Sequence, residues 1–192
     1  TVRSPFDGRE VLRVARGGPV ELEAAAATAH RAAPAMAALP PAERAAILER
    51  AAALIGERRE ELAQALCEEA GKPITLARVE AERCRDTFTA SALVARRPEL
   101  EALDLGGFPS GVGRLGLVRR VPVGPVLAIT PFNFPLNLVA HKLAPAVAAG
   151  CPVVLKPASQ TPGPALLLAG ILAEAGLPAG GLSVVPSRGA HA

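Results

Sequence analysis

The spacing of apolar residues along the chain changes character near residue 100. Before that point apolar positions recur at the period of an amphipathic helix, as the apolar residues between positions 41 and 57 illustrate. We therefore predict that residues 19–97 form a helical layer, preceded by an extended lead-in over residues 1–18 in which EVLRVAR favours a short strand. The residues that share one helical face are Ile47, Leu48, Ala51, Leu54 and Ile55.

Prolines and glycines set the expected boundaries of these helices. Pro19 suits the first position of a helix, where the missing N–H has no helical partner in any case. Pro34 should end or kink that helix. One or two helices should follow from residue 41 until Gly71 stops them, because glycine favours the left-handed conformation found just after helices. A further helix is predicted over residues 74–97.

Beyond residue 98 the pattern becomes that of strands and crossover helices. Residues 98–123 are predicted to contain a loop, over 98–113, followed by a strand in RLGLVRRVPV. Residues 124–192 then alternate short apolar runs with helical segments, which is typical of buried parallel strands joined by crossover helices. We predict an α/β fold in which the N-terminal helical layer precedes half of a doubly wound, Rossmann-like parallel sheet. The strands are expected at 126–130, 153–156 and 182–185, and the helices at 136–149 and 163–175.

Composition excludes several classes of protein. The chain has 192 residues, of which 50% are hydrophobic and 20% charged, so a sizeable core is expected. Aromatic residues make up 3% and the net charge is +3 without a basic run, which argues against a nucleic-acid partner. The 3 cysteines are an odd number at wide spacing, which argues against a disulfide framework and against a CxxC-type metal site. With no apolar stretch long enough to span a bilayer, a cytoplasmic protein without a membrane partner is expected.

Polar residues follow the first two apolar runs at their carboxyl ends, where open parallel sheets bind ligands. TPFNFP occupies residues 130–135, and KPAS occupies residues 156–159. The prolines stiffen both loops, which helps to fix a polar side chain. From the residues alone, Asn133 is either a hydrogen-bond donor to a ligand or the N-cap of the next helix. Lys156 either binds ribose or phosphate or carries its charge to solvent.

These segments closely resemble the N-terminal half of NAD(P)-dependent aldehyde dehydrogenases. The resemblance implies oxidation of a small aldehyde to a carboxylic acid: a cysteine thiolate attacks the carbonyl, and the thiohemiacetal passes hydride to NAD or NADP. Intact motifs favour this chemistry over CoA-acylating or acyl-phosphate reductases. The alternative is a non-catalytic nucleotide-binding or oligomerisation module. The matching stretches, in the family's order, are SPFDGREV, PPAERAAILERAAALI, EEAGKP, PVGPVLAITPFNFPL, HKLAPAVAAGCPVVLKPASQTP and EAGLPAGGLSVVP.

The resemblance also assigns roles to the residues at the strand ends. Asn133 matches the side-chain donor of the oxyanion hole, where a fixed amide N–H stabilises the charge on the former carbonyl oxygen. Lys156 matches the lysine that holds the adenosine ribose. Ser159 stands where many NAD-preferring members carry Glu, and the missing carboxylate favours NADP or dual use. Further residues that match the lining of the cofactor cleft are Ile129, Thr130, Pro131 and Phe132.

Parts of the family's active site have no counterpart in this sequence. The family's catalytic cysteine and general-base glutamate lie past the position that corresponds to residue 192. Cys67, Cys84 and Cys151 are expected to be packing residues. We therefore expect a fragment, inactive by itself, of an enzyme that forms a homodimer or homotetramer, with RLGLVRRVPV in the intersubunit region. The identity of the aldehyde stays open.

The histidines are not expected to take part in catalysis. His30 and His141 fall in predicted helices without an acidic partner in a recognisable arrangement, so a core or surface role is expected. His191 is close to the end of the chain.

Overall fold

A helical layer forms the first half of the chain. The computed structural model describes residues 1–97 and 99–187, so His191 lies outside the described residues. The chain opens with β1 (Val2–Arg3), which pairs antiparallel with β2 (Glu10–Leu12) and confirms the strand predicted in EVLRVAR. The helices that follow are α1 (Pro19–Ala38), α2 (Pro41–Glu57), α3 (Arg59–Ala70) and α4 (Ile74–Arg96).

The predicted helix boundaries are confirmed except at one proline. Pro19 begins α1, and Gly71 ends α3 in the left-handed conformation, with φ of 63°. The expectation that Pro34 ends the helix is wrong, because α1 continues to Ala38, and a kink at Pro34 stays a prediction. Pro34 has no N–H to donate to the carbonyl of His30 one turn earlier. Both residues are exposed to solvent. Met36, which follows Pro34 by two residues, is fully buried.

A β-hairpin replaces part of the loop predicted for residues 98–113. β3 (Leu100–Asp104) pairs antiparallel with β4 (Leu115–Arg119), with Leu100 opposite Arg119 and Asp104 opposite Leu115. A 3-10 turn over Pro109–Gly111 lies between the strands. The sequence LEALD has weak strand propensity. The strand therefore forms because β4, which the sequence does predict, offers it a hydrogen-bonding partner.

The last part of the chain forms the predicted parallel sheet. β5 (Val126–Ile129), β6 (Val153–Lys156) and β7 (Leu182–Val184) lie in the order β5-β6-β7, and both pairings are parallel. α5 (Asn137–Ala149) connects the first two strands, and α6 (Gly163–Glu174) connects the second two. The alternation of strand and helix predicted from the sequence is therefore confirmed.

Burial differs among the strands of this sheet. On one face, Val153 and Leu155 of β6 join the main core with α2, α4, α5 and α6. On the other face, Val154 packs against α1. The helix α1 contacts β6 and β7, and Leu127 and Ile129 of β5 stay 56% and 49% exposed. The prediction that these strands are buried is confirmed for β6. It is wrong for β5, which is partly exposed, and for β7, which is half-buried.

Candidate active site

The carboxyl ends of β5 and β6 lie side by side. Ile129 pairs with Lys156 in the parallel register, and the N–H of Thr130 donates to the Lys156 carbonyl at 3.3 Å. The two proline-rich loops, residues 130–135 and 156–159, therefore leave the sheet at the same edge. Asn133 and Lys156 therefore lie at the same ends of their strands, as a shared site requires.

Lys156 is buried at this edge. The residue is 5% exposed, and its Nζ donates to the Pro157 carbonyl at 3.3 Å. No carboxylate of the described residues lies within ion-pair distance of it. The interpretation that Lys156 carries its charge to solvent is therefore wrong. An ammonium group has three donors, so Lys156 retains hydrogen-bonding capacity for a ligand with acceptor oxygens.

Several buried hydroxyls around the same edge also lack partners. Thr130 Oγ1, Thr161 Oγ1 and Ser187 Oγ are buried without a hydrogen bond to any other described residue. They follow β5, β6 and β7 respectively. An unsatisfied buried polar group is costly, so each of these hydroxyls is expected to have a partner that the described residues do not supply. The sequence analysis missed Thr161 and Ser187, although both follow predicted strands.

Ser159 already has a partner. Its hydroxyl donates to the Ser187 carbonyl at 3.0 Å, which links the loop after β6 to the segment after β7. The residue itself is exposed. Its place in the cofactor site, predicted from the sequence, stays a prediction.

The loop after β5 presents its tip to solvent. Pro131, Phe132 and Asn133 are exposed, and the Asn133 side-chain amide makes no hydrogen bond within the described part of the chain. The N-cap of α5 is Leu136, so the interpretation of Asn133 as an N-cap is wrong. An amide without a structural partner at the carboxyl edge of the sheet is available to a ligand.

Two residues that the sequence analysis missed hold this loop. The Glu80 carboxylate on α4 accepts hydrogen bonds from the N–H groups of Leu136 and Asn137 at 3.0 and 3.1 Å, and it forms an ion pair with Lys72. Lys72 Nζ also donates to the Asn133 carbonyl at 3.2 Å. A signal for Glu80 was present in the sequence, because helical spacing puts this carboxylate on the apolar face of α4. The other buried residues of that face include Ala77, Ala81, Cys84 and Phe88.

A second buried carboxylate caps the next crossover helix. Glu69 of α3 is 5% exposed, and its Oε2 accepts a hydrogen bond from the Gly163 N–H at the start of α6 at 2.9 Å. Burial raises the pKa of this carboxyl to about 7, opposed by the Gly163 hydrogen bond. The sequence analysis missed this residue too. The spacing of Glu69 from Leu62 and Leu66 on α3 places it on the buried face.

The cysteines have the packing roles expected of them. Cys84 is fully buried and Cys151 nearly so. Burial raises the pKa of the Cys84 thiol, and it also raises that of Cys67. Thiolates are the reactive form, so neither residue is a suitable nucleophile. Within residues 1–97 and 99–187, no cluster of acidic, His or Cys side chains could hold a metal ion, and no helix has both the length and the hydrophobicity to span a membrane.

The sequence of this chain matches one known protein family. The model of the aldehyde dehydrogenase family matches residues 1–192. The chain belongs to the aldehyde dehydrogenase family. The 3-sulfolactaldehyde dehydrogenase of Priestia aryabhattai is 49% identical over 151 residues, which are 79% of this chain and 32% of that protein. The resemblance seen in the sequence is therefore confirmed.

Solved structures of aldehyde dehydrogenases share this fold. Aldehyde dehydrogenase 21 from Physcomitrella patens, in complex with the reaction product succinate, matches with a TM-score of 0.95 and 43% identity over 99% of this chain and 40% of its own. The glyceraldehyde-3-phosphate dehydrogenase GapN from Methanocaldococcus jannaschii, complexed with NADP, matches with a TM-score of 0.92 and 39% identity over 99% of this chain and 41% of its own. The chain thus spans about a third to two fifths of the length of these aldehyde dehydrogenases.

Proposed function

We propose that this chain is the cofactor-binding part of an NAD(P)-dependent enzyme that oxidises a small aldehyde to a carboxylic acid. One observation carries the proposal: the loops that contain Asn133 and Lys156 leave the sheet at the same edge, next to buried hydroxyls without partners. Membership of the aldehyde dehydrogenase family supports the reaction class.

The proposed cofactor site uses the residues of this edge. NAD(P), when bound, supplies the acceptor for the hydride. Lys156 would donate to the ribose hydroxyls, for which its unused N–H donors are suited. Ile129, Thr130, Pro131 and Phe132 would line the cleft. At Ser159 no carboxylate repels a 2′-phosphate, so we favour NADP or dual use, and the NADP bound by the M. jannaschii relative is in keeping with this.

Asn133 is the proposed oxyanion donor. Attack of a thiolate on the aldehyde carbon moves negative charge onto the carbonyl oxygen. An amide N–H held in place stabilises that charge without transferring a proton. Asn133 suits this role because its amide has no structural partner among the described residues. In this proposal the nucleophile is a cysteine other than Cys67, Cys84 and Cys151, since all three are buried or partly buried packing residues.

We further propose that the enzyme is a cytoplasmic homodimer or homotetramer. The three cysteines are free thiols, as expected in a reducing compartment. The hairpin of β3 and β4 supports self-association, because it exposes leucines that a monomer would leave in water.

Replacement of Asn133 tests the proposed reaction. In the gene product that carries this chain, Asn133→Ala should lower kcat about a hundred- to a thousand-fold, as loss of an oxyanion donor does. Turnover would be followed by NAD(P)H absorbance with a panel of small aldehydes that includes 3-sulfolactaldehyde and glyceraldehyde 3-phosphate. Gln64→Ala removes an exposed amide from α3 and should leave kcat unchanged. An undiminished kcat in Asn133→Ala would refute the role.

A further inference from the structure

The loop of residues 130–135 must keep the Asn133 amide in a fixed position if Asn133 is the oxyanion donor. A donor to a developing oxyanion must be held to within a fraction of an ångström, yet Asn133 lies at an exposed loop tip. Within the described part of the chain, its side chain makes no hydrogen bond that would fix it. The position of the amide must therefore come from contacts made by the backbone and by the neighbouring residues.

Lys72 supplies such contacts on one side of the loop. It follows Gly71, the residue that ends α3 in the left-handed conformation, and its side chain is 13% exposed. Its Nζ donates to the Asn133 carbonyl at 3.2 Å and lies 4.1 Å from the centroid of the Phe134 ring. The ammonium group thus holds the backbone of Asn133 by a charged hydrogen bond and its neighbour by a cation–π contact.

Glu80 supplies contacts further along the same segment. Its side chain is 1% exposed, and it bridges Lys72 to the N–H groups of Leu136 and Asn137 at the start of α5. A buried carboxylate is costly unless its oxygens are satisfied, and here both oxygens have donors. The pair therefore ties down the chain from the Asn133 carbonyl to the start of α5.

We propose that the Lys72–Glu80 ion pair is the positioning element for the Asn133 amide. Neither residue touches the reacting atoms. The pair acts by fixing the backbone from residue 133 to residue 137, and so the place from which the amide donates. This inference rests on the proposed function, because it assumes that Asn133 is the oxyanion donor.

A double-mutant cycle tests the inference. In the gene product that carries this chain, Lys72→Met removes the ammonium but keeps the length of the apolar stem. It should slow the pre-steady-state burst of NAD(P)H formation about ten- to a hundred-fold, with little change in KM, because a displacement of about 1 Å costs that much. In an Asn133→Ala background the same change should alter the burst rate less than about three-fold, since residues acting through one group are not additive.

Further variants separate positioning from general stability. Lys72→Arg, which keeps the charge and donors, should recover most of the burst rate. Glu80→Gln keeps an acceptor for the two amides but removes the ionic partner of Lys72, and it should slow the burst in the same way. If Lys72→Met fails to fold, these two variants still decide the question. Arg78→Met is the matched control on α4, the helix that carries Glu80. It breaks the exposed ion pair between Arg78 and Glu60 of α3 and should leave the burst unchanged.

The outcomes distinguish failure of the positioning role from failure of the proposed function. A normal burst in Asn133→Ala would overturn the proposed function itself. A slow burst in Asn133→Ala combined with a normal burst in Lys72→Met would overturn only the positioning role. The same loss from Lys72→Met in both backgrounds would also overturn it, because a merely structural role affects both equally.

Discussion

Glu80 and Lys156 are both buried at the proposed site, and their surroundings differ. The Glu80 carboxylate receives donors from Lys72 and from two backbone N–H groups. Lys156 has a single carbonyl acceptor among the described residues. Because burial penalises an unpartnered charge, a satisfied group such as Glu80 is typical of structural support. An unsatisfied one such as Lys156 is typical of a ligand site.

Ser159 is the residue at which the cofactor preference can be tested. Ser159→Glu places a carboxylate where a 2′-phosphate would lie in the proposal, so the two charges would repel each other. We expect kcat/KM with NADP to fall about ten- to a hundred-fold, on the scale of one to three kcal/mol for like charges in close proximity, and kcat/KM with NAD to fall much less. Steady-state kinetics with both cofactors measure the ratio.

Ser159→Ala serves as the control for this change. It removes the hydrogen bond to the Ser187 carbonyl without adding charge, so it should leave the ratio of the two efficiencies nearly unchanged. A Glu variant that loses NAD and NADP activity equally would contradict a role of Ser159 in selecting the cofactor.

The sequence analysis found the candidate residues in the two loops, but it missed the residues that hold those loops in place. Asn133 and Lys156 stand in short motifs at predicted strand ends, where the topology of a parallel sheet concentrates ligand contacts. Glu69 and Lys72 lie in the matching stretch EEAGKP, which lies at the end of a helix rather than of a strand, and Glu80 lies in none of the quoted stretches. Their partners lie 94, 61 and 56 residues away, and a charge on a helix is usually solvated. Helical spacing alone signals the burial of the two glutamates.

The elements of the helical layer are tied to the crossover helices by carboxylates. Glu80 of α4 satisfies the first N–H groups of α5, and Glu69 of α3 satisfies that of Gly163 at the start of α6. The first N–H groups of a helix have no intrahelical partner, and negative charge there is favourable. The layer thus fixes where each crossover helix begins, and with it the loop that precedes that helix.

The cap on α6 should make stability depend on pH. Burial raises the folded-state pKa of Glu69 to about 7 from an ordinary value of 4.5, so the folded protein binds the extra proton between these values. Relative to Glu69→Gln, the wild type should therefore lose stability as pH rises through this range, by about one to three kcal/mol in total. The difference in thermal midpoint between the two proteins, followed across the range, measures the effect.

The glutamine variant isolates the charge, because its amide oxygen can still accept the hydrogen bond from the Gly163 N–H. Glu57→Gln, at an exposed position of α2, should show no such trend. A constant difference between wild type and Glu69→Gln, or a wild type that gains relative stability as pH rises, would disprove the assignment.

Strand prediction succeeded where the element's own residues determine the structure. β6 is an apolar run with no exposed residue, and it forms over the residues that were predicted. β3 is different, because all five of its residues are exposed and its sequence favours no strand. It forms only through pairing with β4, a contact that spacing within one segment cannot reveal.

In the described structure the hairpin of β3 and β4 exposes apolar side chains to solvent. An isolated two-stranded sheet is marginal in water, and contiguous exposed apolar surface marks a contact with another protein. The register places Leu100, Leu115 and Leu117 on one face, exposed by 63%, 67% and 64%. A second copy of the chain, packed on this face, would bury these leucines.

Leu117→Asp should therefore weaken the proposed oligomer. A carboxylate buried in an apolar contact has no partner and disfavours association, whereas on a free surface the change costs little. We expect the mass found by size-exclusion chromatography with light scattering to fall to a smaller species, while the helical circular dichroism stays the same. Val20→Asp alters a side chain of similar exposure on α1, 76% exposed, and should keep the original mass. If both variants keep it, this face of the hairpin is not the contact between subunits.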